Sequence, residues 1–262
     1  MSHAEPVLWH ISISHYNEKV RWALDLKRVP HRRRAIPGGF HVVAALALTH
    51  GAGYTFPILV LDGEVISDST AIIGALERRY PAPPLYPDDP AERRRALDLE
   101  GYFDEELAPA VRLVGWHELI RDPERLRRLM EGFVPPSARG NKAALDASAR
   151  FASAFTSLRY GVKSEEAAER ARGQVLAALD RLEAELDGNE YLVGDRFTVA
   201  DLSAAALFYP LVLPSQGPNL GDPPVAFQRF RQPLEDRPGY QWVEEIYRKH
   251  REPTGAAAPV AA

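Results

Sequence analysis

The sequence predicts an α/β domain built on one mixed sheet, followed by a domain made of helices alone. Three observations carry that reading. Before residue 81 the apolar pattern alternates between short strand-like runs and helical spacing, and after residue 90 it keeps helical spacing only. Between the two, Pro81-Ala82-Pro83-Pro84-Leu85-Tyr86-Pro87-Asp88-Asp89-Pro90 places five prolines in ten residues, through which neither a helix nor a central strand can continue. Residues 1–80 are therefore read as the first domain, 81–90 as a linker and 91–252 as the helical domain.

The first domain is organised around residues 7–27, where a short apolar strand breaks at 11–14 and runs straight into a helix. Tyr16, Val20, Ala23 and Leu24 fall at i, i+4, i+7 and i+8 on one helix face, with Glu18, Lys19, Arg21 and Asp25 expected mostly elsewhere. Ser14 stands at the helix entrance. A hydroxyl there either caps free backbone N–H groups or donates its proton to an anion held at the positive end of the helix dipole.

Residues 30–36 read as an extended return strand, parallel to the first by a right-handed crossover and ended by Pro37-Gly38-Gly39. Residues 40–48 carry Val42, Val43, Leu46 and Ala47 in a helical rhythm that Gly51 and Gly53 stop. Pro57-Ile58-Leu59-Val60-Leu61 is a continuous apolar run, as a strand buried on both faces requires, and Asp62-Gly63 is a favoured hairpin turn into Glu64-Val65-Ile66. Ser67 to Ser69 then supply cap residues for a helix with the stripe Ile72, Ile73, Leu76 and Tyr80, ending at Pro81. Strand, helix, strand, helix, strand, strand, helix is the order of a thioredoxin-like domain.

In the second domain helical spacing covers residues 91–119, 141–160, 164–186, 198–211 and 234–249. Val175, Leu179, Leu182 and Leu186 form the clearest stripe, with Gly188 at the expected C-terminal cap. Thr198-Val199-Ala200-Asp201 has capping-box spacing, and Phe197 and Leu202 stand at the two ends of a hydrophobic staple. Residues 122–140, with Pro135-Pro136 and Gly140, interrupt the pattern and are expected to form a lid or an added helix. The Ala/Pro/Gly-rich residues 253–262 are expected to be disordered, because they can bury little to offset the entropy of ordering.

Composition narrows the chemistry. The chain has 262 residues, 45% of them apolar and 26% charged, with a net charge of −4. That balance argues against a general binder of nucleic acid or anionic membranes, so Arg32-Arg33-Arg34 and Arg93-Arg94-Arg95 are read as solvated faces. The absence of cysteine excludes disulfides, thiolate metal sites and a cysteine nucleophile. No pair of histidines has the spacing of helical metal ligands and no serine sits in G-x-S-x-G, so neither a metal site nor a serine hydrolase is expected. The longest apolar stretch, residues 202–213, is shorter than the roughly 18 residues a membrane span needs. A soluble, cytoplasmic protein is expected.

Ser14-His15-Tyr16-Asn17 followed by Glu18-Lys19-Val20-Arg21 resembles the first active-site motif of the cytosolic glutathione transferases, and Ser14 to Asn17 align with the C-P-Y-C motif of the related glutaredoxins. Phe56-Pro57, Asp68-Ser69 and Gly194-Asp195-Arg196-Phe197-Thr198-Val199-Ala200-Asp201 strengthen the resemblance. The last of these is similar to the folding motif of the family's helical domain and implies no chemistry for Thr198 or Asp201.

For this chain the resemblance implies a serine-type glutathione transferase fold. Ser14 would donate a hydrogen bond to the glutathione sulfur, with Tyr16 as the rival donor. His15, where the family usually has proline, would tune the site or lie exposed. Phe56 would pair through its backbone with the cysteinyl unit across a cis bond to Pro57. Ser69 would hold the γ-glutamyl carboxylate, and Asp68, shorter than the family's usual Glu or Gln, would reach the ammonium less readily. An electrophilic co-substrate would lie against Tyr102, Phe103, Leu107, Val111 and Trp116.

Glutathione is thus the expected co-substrate, the activity conjugation to a small apolar electrophile in detoxification, and the assembly a homodimer without nucleic-acid or membrane partners. In that dimer Ala75, Arg78 and Arg79 would face Asp98, Glu100, Asp104, Glu105 and Glu106 of a second copy. The alternative is a non-catalytic protein of the same fold that carries ligands or assembles with partners.

Overall fold

The computed structural model describes residues 4–36 and 41–251. Residues 37–40, where the second strand was expected to end and the second helix to begin, and the expected disordered tail lie outside the described residues. The first domain follows the order β1 (Val7–His10), α1 (His15–Leu26), β2 (Arg32–Ala35), α2 (His41–Leu48), β3 (Ile58–Leu61), β4 (Glu64–Ser67) and α3 (Ser69–Arg79).

The strands form one sheet in the order β2-β1-β3-β4. Strand β1 runs parallel to β2, with Val7 opposite Arg32, and antiparallel to β3, with Leu8 opposite Leu59. Asp62 and Gly63 both take positive φ, 50° and 87°, the geometry a two-residue hairpin turn needs to match strand twist. Strand β2 is one of the two edges, and its arginines suit that position because charge on an edge discourages pairing with another chain. Arg33 pairs with Asp25, Arg32 with Glu5 at 3.3 Å, and the Arg34 guanidinium lies 4.9 Å from the centre of the Trp9 ring.

Helix α1 departs from its expected polarity. Tyr16, Val20, Ala23 and Leu24 do pack into the core, but Glu18, Lys19 and Arg21 are also buried. The reason is that the helical domain covers the face that a one-sided amphipathic reading assigns to solvent. Each buried charge has a partner: Lys19 Nζ meets Glu100 at 2.8 Å and Asp104 at 2.7 Å, while Glu18 takes Arg21 at 2.8 Å and Arg251 at 2.7 Å.

Helix α2 is present, but Val43 is 68% exposed and Leu46 41%; its buried residue is Ala45, which joins Ile36, Phe56 and Ile58 in a small satellite cluster. Helix α3 buries Ile72, Ile73 and Leu76 completely.

The second domain contains α4 (Pro90–Tyr102), a π-helical segment at Phe103–Leu107, α5 (Ala108–Leu119), α6 (Pro123–Met130), α7 (Lys142–Tyr160), α8 (Glu165–Leu186), α9 (Val199–Val212), α10 (Val225–Arg231) and α11 (Pro238–His250). The helix expected over residues 91–119 is therefore α4 and α5 joined through a π turn. The interruption at 122–140 holds the added helix, α6, and two short 3-10 turns.

Helix α10 was not foreseen, since it has seven residues and buries only Phe227. Helix α11 starts at Pro238, four residues later than expected, because proline suits a first helical turn and a 3-10 turn occupies Gln232–Leu234. Asp187 takes the left-handed cap at the end of α8, one residue before the expected Gly188. The capping box at Thr198 and Asp201 is formed, and α9, nearly all buried, is the central post against which α1, α4, α5 and α11 pack. Val199 N–H donates to the Leu85 carbonyl at 2.9 Å and so pins the proline-rich segment to that post.

Candidate active site

The loop between β1 and α1 has its carbonyls held from both domains. Ile11 C=O accepts from Ser14 N–H at 3.1 Å and Arg21 Nη1 at 3.3 Å, Ser12 C=O from Arg21 Nη2 at 3.1 Å, and Ile13 C=O from the hydroxyl of Tyr209 on α9. Arg21 is itself fixed by Glu18 and by His10 Nδ1 at 3.0 Å. Burial, then Arg21, pushes the His10 pKa down to about 3, so the ring is neutral and its Nδ1 accepts.

Asn17 spans the next gap. Its Oδ1 accepts from Ile11 N–H at 3.1 Å and its Nδ2 donates to Phe56 C=O at 3.2 Å, joining the loop to the Phe56-Pro57 peptide, which is cis. One acceptor position of Phe56 is thus taken inside the protein, whereas its N–H makes no bond among the described residues.

Ser14 occupies the N-cap position of α1 with extended backbone, φ −83° and ψ 129°, yet its side chain makes no capping bond. Of the two roles the sequence left open, capping is the one the hydroxyl does not perform, and the residue lines a cavity. Tyr16 is placed otherwise. Its hydroxyl donates to the Asp104 carbonyl at 2.6 Å, and its pKa is pushed up to about 12, chiefly by burial. Its proton is therefore engaged by the second domain.

His15 is buried rather than exposed, and burial followed by the charge of Arg112 holds its pKa down at about 3. The ring is neutral at ordinary pH, and its Nε2 has no hydrogen-bond partner among the described residues.

At the start of α3, Asp68 takes φ +80°, rare for a residue with a side chain, and its Oδ1 accepts from Thr70 N–H and Ala71 N–H, each at 3.0 Å. Ser69 follows, buried, and its hydroxyl makes no hydrogen bond among the described residues. The Thr70 hydroxyl, with one proton to give, lies 3.0 Å from Glu100 Oε1 and 2.9 Å from Asp104 Oδ2, on the two carboxylates that hold Lys19.

These residues border one cavity of about 940 Å³ between the domains: Ser14, Tyr16, Phe56, Pro57, Asp68 and Ser69 all line it. The expected acceptor wall fares differently. Trp116 lines the cavity, but Phe103, Leu107 and Val111 are buried in the main core, where α4, α5 and α9 meet, and Tyr102 packs at the edge of that core. That side of the cavity is instead lined by Arg112 and Trp116 of α5, Met130 and Phe133 beyond it, and Phe151, Phe155, Arg159 and Tyr160 of α7. Helix α7 closes onto the first domain where Phe155 meets His41 edge-on at 4.8 Å and Arg159 donates to the Tyr54 hydroxyl at 3.3 Å. The signal for this wall was in the sequence, since Phe151, Phe155 and Arg159 repeat every four residues and share a helix face.

Known proteins match this arrangement in both halves. Residues 8–84 match the glutathione S-transferase N-terminal domain, and residues 126–238 match the glutathione S-transferase C-terminal domain. The chain belongs to the glutathione S-transferase family. A Caenorhabditis elegans protein named "Probable maleylacetoacetate isomerase" is 28% identical over 209 residues, 80% of each chain.

Among solved structures, a glutathione transferase from Phanerochaete chrysosporium is 19% identical with a TM-score of 0.63, over 94% of this chain and 97% of the other. A theta class glutathione S-transferase from Xanthomonas axonopodis pv. citri with glutathione bound is 23% identical with a TM-score of 0.54, over 90% and 95%. Identities this low establish the shared fold of the glutathione S-transferases. Residues 85–125, which carry α4, the π segment, α5 and with them Arg112 and Trp116, fall between the two family matches.

Proposed function

We propose that the protein is a serine-type glutathione transferase that conjugates the glutathione thiolate to a small electrophile. The observation that carries this reading is the Ser14 hydroxyl, placed at the N-terminus of α1, released from capping and bordering the cavity. A free thiol has a pKa near 8.5, and lowering it by about two units takes roughly 3 kcal/mol of preferential thiolate stabilisation. A hydrogen bond to a charged group contributes about 1.5–3 kcal/mol and a helix N-terminus about 0.3–1 kcal/mol or somewhat more, so the two together are of the required size.

The thiol proton leaves to solvent, the sulfur forms a bond to the electrophilic carbon, and a leaving group departs with its electron pair. Around the sulfur, Phe56 offers its free N–H to the cysteinyl unit, and Ser69 offers its hydroxyl and N–H to the γ-glutamyl carboxylate at the positive end of α3. Asp68 uses one oxygen as the α3 cap and keeps the other for the ammonium.

The test is the ultraviolet absorbance of thiolate in bound glutathione, titrated in the wild type and in Ser14→Ala. The variant should keep the fold and raise the apparent thiol pKa by about one to two units. An unchanged titration would remove Ser14 from the mechanism.

The nematode relative's name raises a second reading, in which the same thiolate adds reversibly to a conjugated double bond and the product contains no glutathione. Mass analysis of the product separates the two. The protein is further proposed to act in the cytoplasm, in detoxification, as a homodimer. For that interface the available charges are Arg78, Asp98, Glu105 and Glu106, because Glu100 and Asp104 hold Lys19, Arg79 holds Asp62 at 2.9 Å and Ala75 is buried.

A further inference from the structure

Helix α5 puts one cation into the cavity with no ion-pair partner among the described residues. Arg112 forms no ion pair and no hydrogen bond with any described residue, and its Nε is buried without a partner. Its guanidinium lies 4.1 Å from the centre of the Tyr160 ring. A second guanidinium, that of Arg159, lies 5.7 Å from the same ring, and its partner is the neutral hydroxyl of Tyr54.

Two like charges thus share one aromatic ring. The cavity's acids do not pair with them: Glu100 and Asp104 each turn an oxygen to Lys19 and neither reaches a guanidinium, Asp68 caps α3, and Glu105, exposed, makes no ion pair among the described residues. Holding an unpaired guanidinium in a partly dry cavity is unfavourable unless an anion completes it, and the planar fork of arginine fits a carboxylate in two parallel hydrogen bonds. Arg112 also stands close enough to the sulfur end of the cavity for its charge to be felt by both His15 and Tyr16.

We infer that Arg112, with Arg159 beside it, is the anion-recognising group of the acceptor site, and that the acceptor is an electrophile carrying a carboxylate on an aromatic or conjugated body. The body would lie against Trp116, Phe133 and Phe155, with the carboxylate on Arg112. This rests on the transferase reading for its chemistry and refines the apolar electrophile expected from sequence.

Chlorodinitrobenzene and chlorodinitrobenzoate are suitable probes, since in each the sulfur displaces chloride and only the second carries the anion. The ratio of kcat/KM for the benzoate over the neutral compound should fall at least about tenfold from wild type to Arg112→Met, with Arg112→Lys between them. A parallel fall with both acceptors, or a raised KM for glutathione at an unchanged ratio, would overturn the assignment.

Calorimetric titration with unreactive dinitrobenzoate reads the anion site without chemistry. Binding by wild type that R112M loses supports the inference even if neither aryl chloride is conjugated, an outcome that would count against the transferase reading alone. Should R112M not fold, competition in wild type decides: benzoate displacing dinitrobenzoate where benzamide does not supports the anion site, and equal displacement by the two overturns it.

Discussion

Tyr209 donates its hydroxyl to the carbonyl of Ile13, so the residue beside Ser14 is held in place by the central helix of the other domain. Tyr209 is fully buried, and that burial raises its phenol well above the usual range, which keeps it protonated as a donor. The hydroxyl links the packing of α9 to the position of the first turn of α1.

Replacing Tyr209 by Phe keeps the ring in the core and leaves the Ile13 carbonyl without that donor. The expected cost is about 1–3 kcal/mol of stability, together with a higher apparent pKa for bound glutathione as Ser14 loses its fixed position. Urea unfolding and the thiolate titration measure the two effects separately. Lost stability with an unmoved thiol pKa would make the contact structural only.

Protonation of buried histidines supplies a second expectation. His15 has a folded pKa of about 3 against 6.5 for an ordinary histidine. Between those values the unfolded chain binds a proton that the folded chain does not, so the stability His15 contributes is present above pH 6.5 and lost as pH falls. The loss amounts to about 1.4 kcal/mol per pH unit within that window. His10 acts in the same direction. Asp201 opposes them, because burial raises its pKa from 3.8 to about 6 and the folded state then holds the extra proton between those values. Stability measured by urea from pH 6.5 to 4 should therefore fall less steeply in His15→Gln than in wild type, by about the slope of one histidine. Parallel profiles would mean that His15 is charged in the folded state.

The fold was legible in the sequence because its elements announce themselves locally: the apolar run of β3, the Asp62-Gly63 turn, the capping box at Thr198. The lining of the cavity was legible where a motif sets backbone shape, at Ser14, Phe56-Pro57 and Asp68-Ser69. The acceptor wall was not. An apolar stripe says that Phe103, Leu107 and Val111 are buried, but not whether they face a neighbouring helix or a void, and here they meet the core around α9. The polar residues that shape the loop were missed for a related reason. Asn17 and Arg21 sit on a helix whose second face carries the other domain, and nothing within α1 itself reports that cover.

Lys19 tests that cover most directly. It is fully buried, with Glu100 Oε1 at 2.8 Å, Asp104 Oδ2 at 2.7 Å and Thr70 Oγ1 at 3.3 Å, while Glu100 Oε2 and Asp104 Oδ1 have no partner. One ammonium thus answers two carboxylates joining α1 of the first domain to α4 and the π segment of the second. Removing the cation in Lys19→Met would strand both carboxylates in a poorly solvated place, at an expected cost of about 3–5 kcal/mol. Removing one carboxylate instead, in Glu100→Gln, takes away surplus charge and should cost far less, about 1 kcal/mol or under. If the network works this way, adding E100Q to K19M should recover part of the loss, because fewer charges are then left unanswered. Denaturant unfolding of the two single variants and the double variant gives the coupling. A cost below about 1 kcal/mol for K19M, or simple additivity of the two changes, would show that the three charges do not act as a unit.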